Sequence, residues 1–268
     1  MANYTQYRDS TESTERAKYP TVEIWADCPT AQLMHDPGLG FFHHDDFRGY
    51  TETATTVGSS GGLPTFEGNT TITMVASGDQ GSALQLFSTD DNQEASLQVG
   101  ETGTMSIGDA GKLWFEARIK KSSVSVTSCF VGLAQAGAGV ADFINDANAD
   151  FADVSLIGFN VFEADPDAFD FTYQNSGQAF NTLIGDAKVV TADTYTKLGF
   201  VYDPSAIDAE KIKVYVDGVE QSTYVTQALM DAAAFPKGDS ICPLIAIKAF
   251  SNTDGSVTLD WWRAAYLK

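Results

Sequence analysis

The chain has 268 residues, 43% of them hydrophobic and 12% aromatic, which is enough apolar material to bury a core and excludes a disordered chain. Its 36 Asp and Glu against 16 Lys and Arg give a formal charge of −20, which repels nucleic-acid phosphates and anionic membrane surfaces, so neither is an expected partner. Three cysteines, Cys28, Cys129 and Cys242, are odd in number and far apart, which argues against a disulfide framework or a zinc site.

The first 37 residues differ from the rest. They are polar and mixed in charge, contain no apolar secretion-signal core, and carry a few spaced large groups interrupted by Pro20, Pro29 and Pro37. Proline lacks an amide donor and restrains its predecessor to extended geometry. Residues 1–37 are therefore expected as an extended N-terminal arm lying on a surface, with Tyr4, Tyr7, Tyr19, Val22, Ile24 and Trp25 as partner-binding anchors. The chain is expected to work where it is made, without secretion.

From residue 38 onward the period is two. GFFHHDDF, Gly40 to Phe47, reads as the opening strand: His43 and His44 then point to opposite faces and cannot easily serve one ion, so no metal centre is assigned. In KLWFEARIKK, Leu113, Phe115, Ala117 and Ile119 share one face, and Trp114, Glu116, Arg118 and Lys120 the other. The same alternation runs through TTITMVAS, SALQLFS, SCFVGLAQ, DVSLIGFNVF, AFDFTYQ, YTKLGFVYD, KIKVYVDGV, CPLIAIKAF and SVTLDWWRAAYL. Asp217-Gly218 suits a type I′ hairpin turn. Two places favour helix: YVTQALMDAAAFP, with Thr226 as N-cap, and VADFINDANADFADV, as a short helix or an ordered loop. So many short strands without alternating helices predict an all-β fold, two antiparallel sheets packed face to face, over residues 38–268.

Chemical constellations are sparse. Gly58-Ser59-Ser60-Gly61-Gly62 matches G-x-S-x-G, yet lies in a Gly/Ser-rich loop rather than between strand and helix. Glu163, Asp165, Asp167 and Asp170 are the best carboxylate pair for glycoside cleavage, but Asp165-Pro166-Asp167 reads first as a turn. Asp142, Asp146, Asp150 and Asp153, with Asn145 and Asn148, offer oxygen ligands for calcium at a spacing that equally suits the exposed face of a helix. Trp114, Tyr215, Trp261 and Trp262 sit in strands where one of each alternating pair faces outward, as anchors for a sugar or a protein. No catalytic residue, metal or cofactor is assigned.

KLWFEARIKK, then YTKLGFVYD with KIKVYVDGV, then GSVTLDWWRAAYL resembles the concanavalin A-like lectin/glucanase jelly roll, including laminin-G-like domains. The resemblance implies a sandwich of two curved antiparallel sheets. The glucanase members carry an E-x-D-x-x-E strand; Glu163-Ala164-Asp165 begins it, but Ala168 stands where the second glutamate should fall, so hydrolysis is not expected. The arm followed by a sandwich is also similar in style to structural proteins of tailed bacteriophages. That likeness implies a non-enzymatic virion protein, a capsid decoration protein bound to the major capsid protein or another virion protein and assembled as a trimer or dimer. A carbohydrate-binding module of a phage tail or spike is the alternative, with a glycan as ligand.

Overall fold

The computed structural model describes residues 18–47, 65–68, 72–77, 81–88, 90–99, 105–139, 142–147, 149–250 and 252–268, with backbone alone at 65–68, 72–77 and 81–82. Tyr4, Tyr7 and the Gly/Ser-rich stretch at 58–62 lie outside the described residues.

Fifteen described strands form two antiparallel sheets. The first runs in the order β13 (Val219–Glu220), β12 (Ile212–Val216), β11 (Thr196–Tyr202), β6 (Lys112–Lys121), β15 (Gly255–Leu267), β4 (Gly81–Ser88), β3 (Ile72–Ser77). Its eighth member, β1 (Gly40–Asp45), pairs with the second half of β15, while β4 pairs with the first half. The second sheet runs β10 (Asn181–Val189), β9 (Asp165–Gln174), β8 (Leu156–Phe162), β7 (Thr127–Gln135), β14 (Ile241–Ala249), β5 (Glu94–Gln98), β2 (Thr65–Gly68). These are the two antiparallel sheets, packed face to face, that the alternation predicts, in the jelly-roll form that the resemblance implies.

The inward faces meet in one core. Leu113, Phe115, Ala117 and Ile119 of β6 pack with Leu198 and Phe200 of β11 against Val131, Leu133, Phe159, Phe171 and Ile245 of the opposite sheet. Phe200 bridges the layers, with ring centroids 5.3 Å from Phe115 and 5.6 Å from Phe171. Along β15 a register shift between Leu259 and Trp261 places two residues opposite one, a β-bulge at Asp260. Val257 and Leu259 face the core before it, and Trp262, Ala264 and Tyr266 after it. The bulge thereby turns Trp262 inward and leaves Trp261 and Arg263 outside.

Local chemistry sets the turns and caps. Asp217 and Gly218 have φ of 50° and 81°, the left-handed pair of a type I′ hairpin. Thr226 caps α3 (Gln227–Met230) by accepting from the Leu229 amide, though the helix is a single turn. Residues 142–147 and 149–153 form an ordered loop, closed by a bridge between Ile144 and Phe151 and by hydrogen bonds from Ala152 N to Phe143 O and Asn145 N to Asp150 O. The turn between β8 and β9 is Glu163-Ala164, and Asp165 and Pro166 already belong to β9.

The arm differs most from expectation. Instead of running extended, its described residues, 18–37, fold into α1 (Val22–Trp25) and α2 (Thr30–His35) between the prolines. Pro29 precedes α2 and its carbonyl receives the amides of Gln32 and Leu33, while Asp36, next to Pro37, is extended and ends the helix. Proline blocks a helix interior but is tolerated at its first turn, so here the prolines delimit helices rather than forbid them. No described helix is long and apolar enough to cross a membrane.

Candidate functional site

Among the described residues, the middle of each outer face of the sandwich is covered by a segment of polypeptide. On the eight-stranded sheet, Ile24, Trp25, Cys28 and Leu33 pack on Trp114, Val201, Tyr215 and Ala265. Gly199, paired with Glu116 across the strands, makes the approach possible: a Cβ there would stand 2.7 Å from Ile24 Cδ1 and 2.8 Å from Phe115 O. Ile24 and Trp25, expected as anchors for a partner, are each 1% exposed and spent on the chain's own sheet. Of the other described anchors, Tyr19 and Val22 remain exposed.

The polar centre of this contact is Glu116, 1% exposed. Its carboxylate accepts from the Thr21 amide at 2.9 and 3.1 Å, from the Thr21 hydroxyl, and from Trp25 Nε1 at 2.8 Å. Burial raises its pKa, against the opposing pull of Thr21, Lys197 and Trp25. Around it, Lys197 Nζ donates to Tyr19 O, Trp261 Nε1 to Lys18 O, and Trp114 Nε1 to Asp27. Lys112 binds both Asp27 and Asp203. The outward tryptophans and Tyr215 are therefore roofed over: Trp114 is 0% and Trp261 6% exposed.

The seven-stranded sheet is closed by residues that follow β7. Gly132 and Gly158 face each other across β7 and β8, and a Cβ on either would reach within 2.9 Å of the Phe130 ring. The ring lies over this flat spot and gathers Phe143 and Phe151 at 5.2 and 5.4 Å, with Phe162 and Phe180 beyond. Beside this aromatic cover stands Lys248, 0% exposed, donating to Asp142 at 3.1 Å, Asp146 at 2.7 Å and the Ile144 carbonyl at 2.7 Å. Burial alone would lower its pKa; the bonds to Asp146 and Asp142 outweigh that and hold the ammonium above its usual value. Glu94, buried alongside, accepts from the amides of Phe143 and Ile144.

Asp142 and Asp146, two of the residues considered for calcium, thus converge on a lysine ammonium with the carbonyl between them. The sequence signal for this was present: a lysine inside the apolar run LIAIKAF of β14 can be buried only with carboxylates to meet it. Glu94 and Lys248 escaped notice because each lies on an outward strand face, which reads as solvated until a loop covers it.

The other constellations are placed as follows. His43 faces the core, edge-on to Trp262 at 5.8 Å, with its pKa lowered by burial; His44 is exposed beside Arg263. Cys28, Cys129 and Cys242 are buried thiols outside any disulfide, and burial pushes Cys28 and Cys242 up to about 12. Among the described residues, the one group of acids close enough to share a cation is Asp165, Asp167 and Asp186, all exposed, where the hydrogen bond with Asp167 raises the pKa of Asp165. Glu163 is exposed in its turn, and Ala168 is buried.

No family model matches the chain, and no curated protein does either. Solved structures do. A protein of unknown function from Shewanella oneidensis MR-1 aligns with a TM-score of 0.56 at 14% identity, over 85% of this chain and 86% of that one. A mixed linkage glucan GH16 from Bacteroides ovatus, in complex with its product, aligns at 0.54 and 13%, over 83% and 99%. Peanut lectin aligns at 0.52 and 12%, over 84% and 97%. The fold is the concanavalin A-like jelly roll that these structures share. At these identities the likeness is one of architecture.

Proposed function

We propose that this chain is a non-enzymatic structural protein of a bacteriophage virion, a decoration protein that reinforces the capsid and is held there by its N-terminal residues. One observation carries the non-enzymatic part. The buried carboxylates on the two sheet faces, Glu116 and Glu94, are each engaged by amides of a covering segment. Cleavage of a glycosidic bond needs two carboxyl groups about 5–10 Å apart with room for a sugar between them. A carboxylate engaged by a covering segment has no such room.

The virion reading rests on the organisation of the chain, a polar N-terminal segment ahead of a strand-rich sandwich with a charge of −20. Residues 1–17, with Tyr19 and Val22 exposed where the described part begins, supply the contact with the major capsid protein or another virion protein. With the middle of each face covered, edges and this N-terminal segment are left for binding. The placement of Trp114 and Trp262, both 0% exposed, does not favour the alternative of a carbohydrate-binding module, since neither can offer a ring to a sugar.

Mass spectrometry of purified phage particles tests the reading. The expected result is this chain at a copy number in proportion to the capsid protein; its absence from intact particles would end the proposal. A reducing-sugar assay on glucans should give no release, and release abolished by Glu163→Gln would restore the hydrolase reading.

A further inference from the structure

We propose that residues 18–35 are exchanged between copies of this chain, so that the segment covering each eight-stranded sheet in the assembled protein comes from a second copy. The claim concerns self-association alone and stands or falls apart from the virion reading.

The contacts themselves are indifferent to which copy supplies them. Residues 18–35 add no strand to either sheet; they attach through side chains and backbone carbonyls to β1, β6, β11, β12 and β15. The bonds at Glu116, Lys197, Trp261, Trp114 and Lys112 can each be remade unchanged by the same segment of a neighbour. Leaving the face bare is far less favourable, because Glu116 would lose its donors and Trp114 and Tyr215 their apolar cover. The closed and exchanged forms therefore differ chiefly at the connection and in the entropy of association, the condition under which exchange is a low-cost route to an oligomer.

The connection has the form exchange requires. Only residues 36–39 lie between α2 and β1, with Pro37 and Gly38 at their centre. So short a connection can open into a link between two copies by giving up the bonds from the Leu39 and Gly38 amides to Asp36. A second observation points the same way. Met34, just before the hinge, and Leu39, at its end, are 67% and 40% exposed, while Ile24, Trp25 and Leu33 of the segment are buried. In an exchanged pair the two hinges run past each other, and these side chains acquire a surface to cover.

The Asp27–Lys112 ion pair joins the segment to the sheet and can be fixed in the unaltered protein with a zero-length carbodiimide, which removes water and leaves an amide. Equal amounts of full-length chain, one light and one labelled with heavy nitrogen, are unfolded together, refolded at high concentration, cross-linked and digested. Exchange predicts that about half of the Asp27–Lys112 peptides join a light half to a heavy half. Light scattering on the same sample should give a mass at least twice that of one chain. Asp27→Asn should remove the cross-linked peptide and validate its assignment. If every such peptide is wholly light or wholly heavy, the segment closes on its own chain and the proposal is overturned.

Discussion

Thr21 gives both its amide and its hydroxyl to the carboxylate of Glu116, 95 residues further along the chain. The threonine occupies the N-cap position of α1 yet makes no side-chain cap to that helix. Its hydroxyl is used to join the helix to the sheet. Glu116→Ala should cost on the order of 2–4 kcal/mol, because it leaves buried donors without an acceptor. The N-terminal segment should then be cut faster by protease while the sandwich survives. Unchanged proteolysis around Tyr19 would show that this carboxylate does not hold the segment.

The same surface can be tested sterically. Gly199→Val puts branched carbon where Ile24 Cδ1 and Phe115 O already sit within 3 Å of a Cβ. A loss of about 1–3 kcal/mol in urea unfolding is expected, as for other overpacked sites. Pairing it with Ile24→Ala should recover part of that loss; a purely additive pair would mean the two residues do not meet.

On the opposite sheet, Lys248→Met should release residues 142–151. The substitution keeps the volume but leaves Asp142 and Asp146 without their cation and the Ile144 carbonyl without its donor. Hydrogen exchange at the amides of Phe143 and Ile144, which donate to Glu94, should quicken at least tenfold, a change of about 1.4 kcal/mol in local opening. Protection equal to wild type would remove Lys248 from the account.

Acid should act through Asp203. Burial alone would raise its pKa, but hydrogen bonds from Lys112 and Ser205 outweigh burial and hold it down at about 2, against an ordinary 3.8. A depressed carboxylate stabilises the fold above its unfolded value, and that stability is lost as pH falls from about 4 towards 2. Asp203→Asn should therefore cost about 1–2 kcal/mol at neutral pH and flatten the decline between pH 4 and 2. A variant whose acid unfolding curve overlays the wild type would contradict this assignment.

The strands were largely legible because inward residues alternate with outward ones over whole elements such as KLWFEARIKK. β5 and β10 were missed for different reasons. In β5, Glu94, Ser96 and Gln98 alternate with only two apolar residues, Ala95 and Leu97, too few to stand out. In β10, register shifts between Thr182 and Ile184 and between Ile184 and Lys188 break the period at the sheet edge. What sequence could not give was the covering of the outer faces. Glu116, Trp114 and Lys248 look solvated in a strand taken alone, and only tertiary packing of residues 18–35 and 142–154 buries them. Period two says which side of a sheet a residue takes, not whether that side meets water.

We propose that this sandwich works by adhesion through its N-terminal end. Sedimentation of purified capsids with the full chain and with a chain beginning at Lys18 tests that most directly. The full chain should travel with the capsids, and the shortened one should stay in the supernatant while keeping its thermal transition. Equal sedimentation of the two would contradict the account.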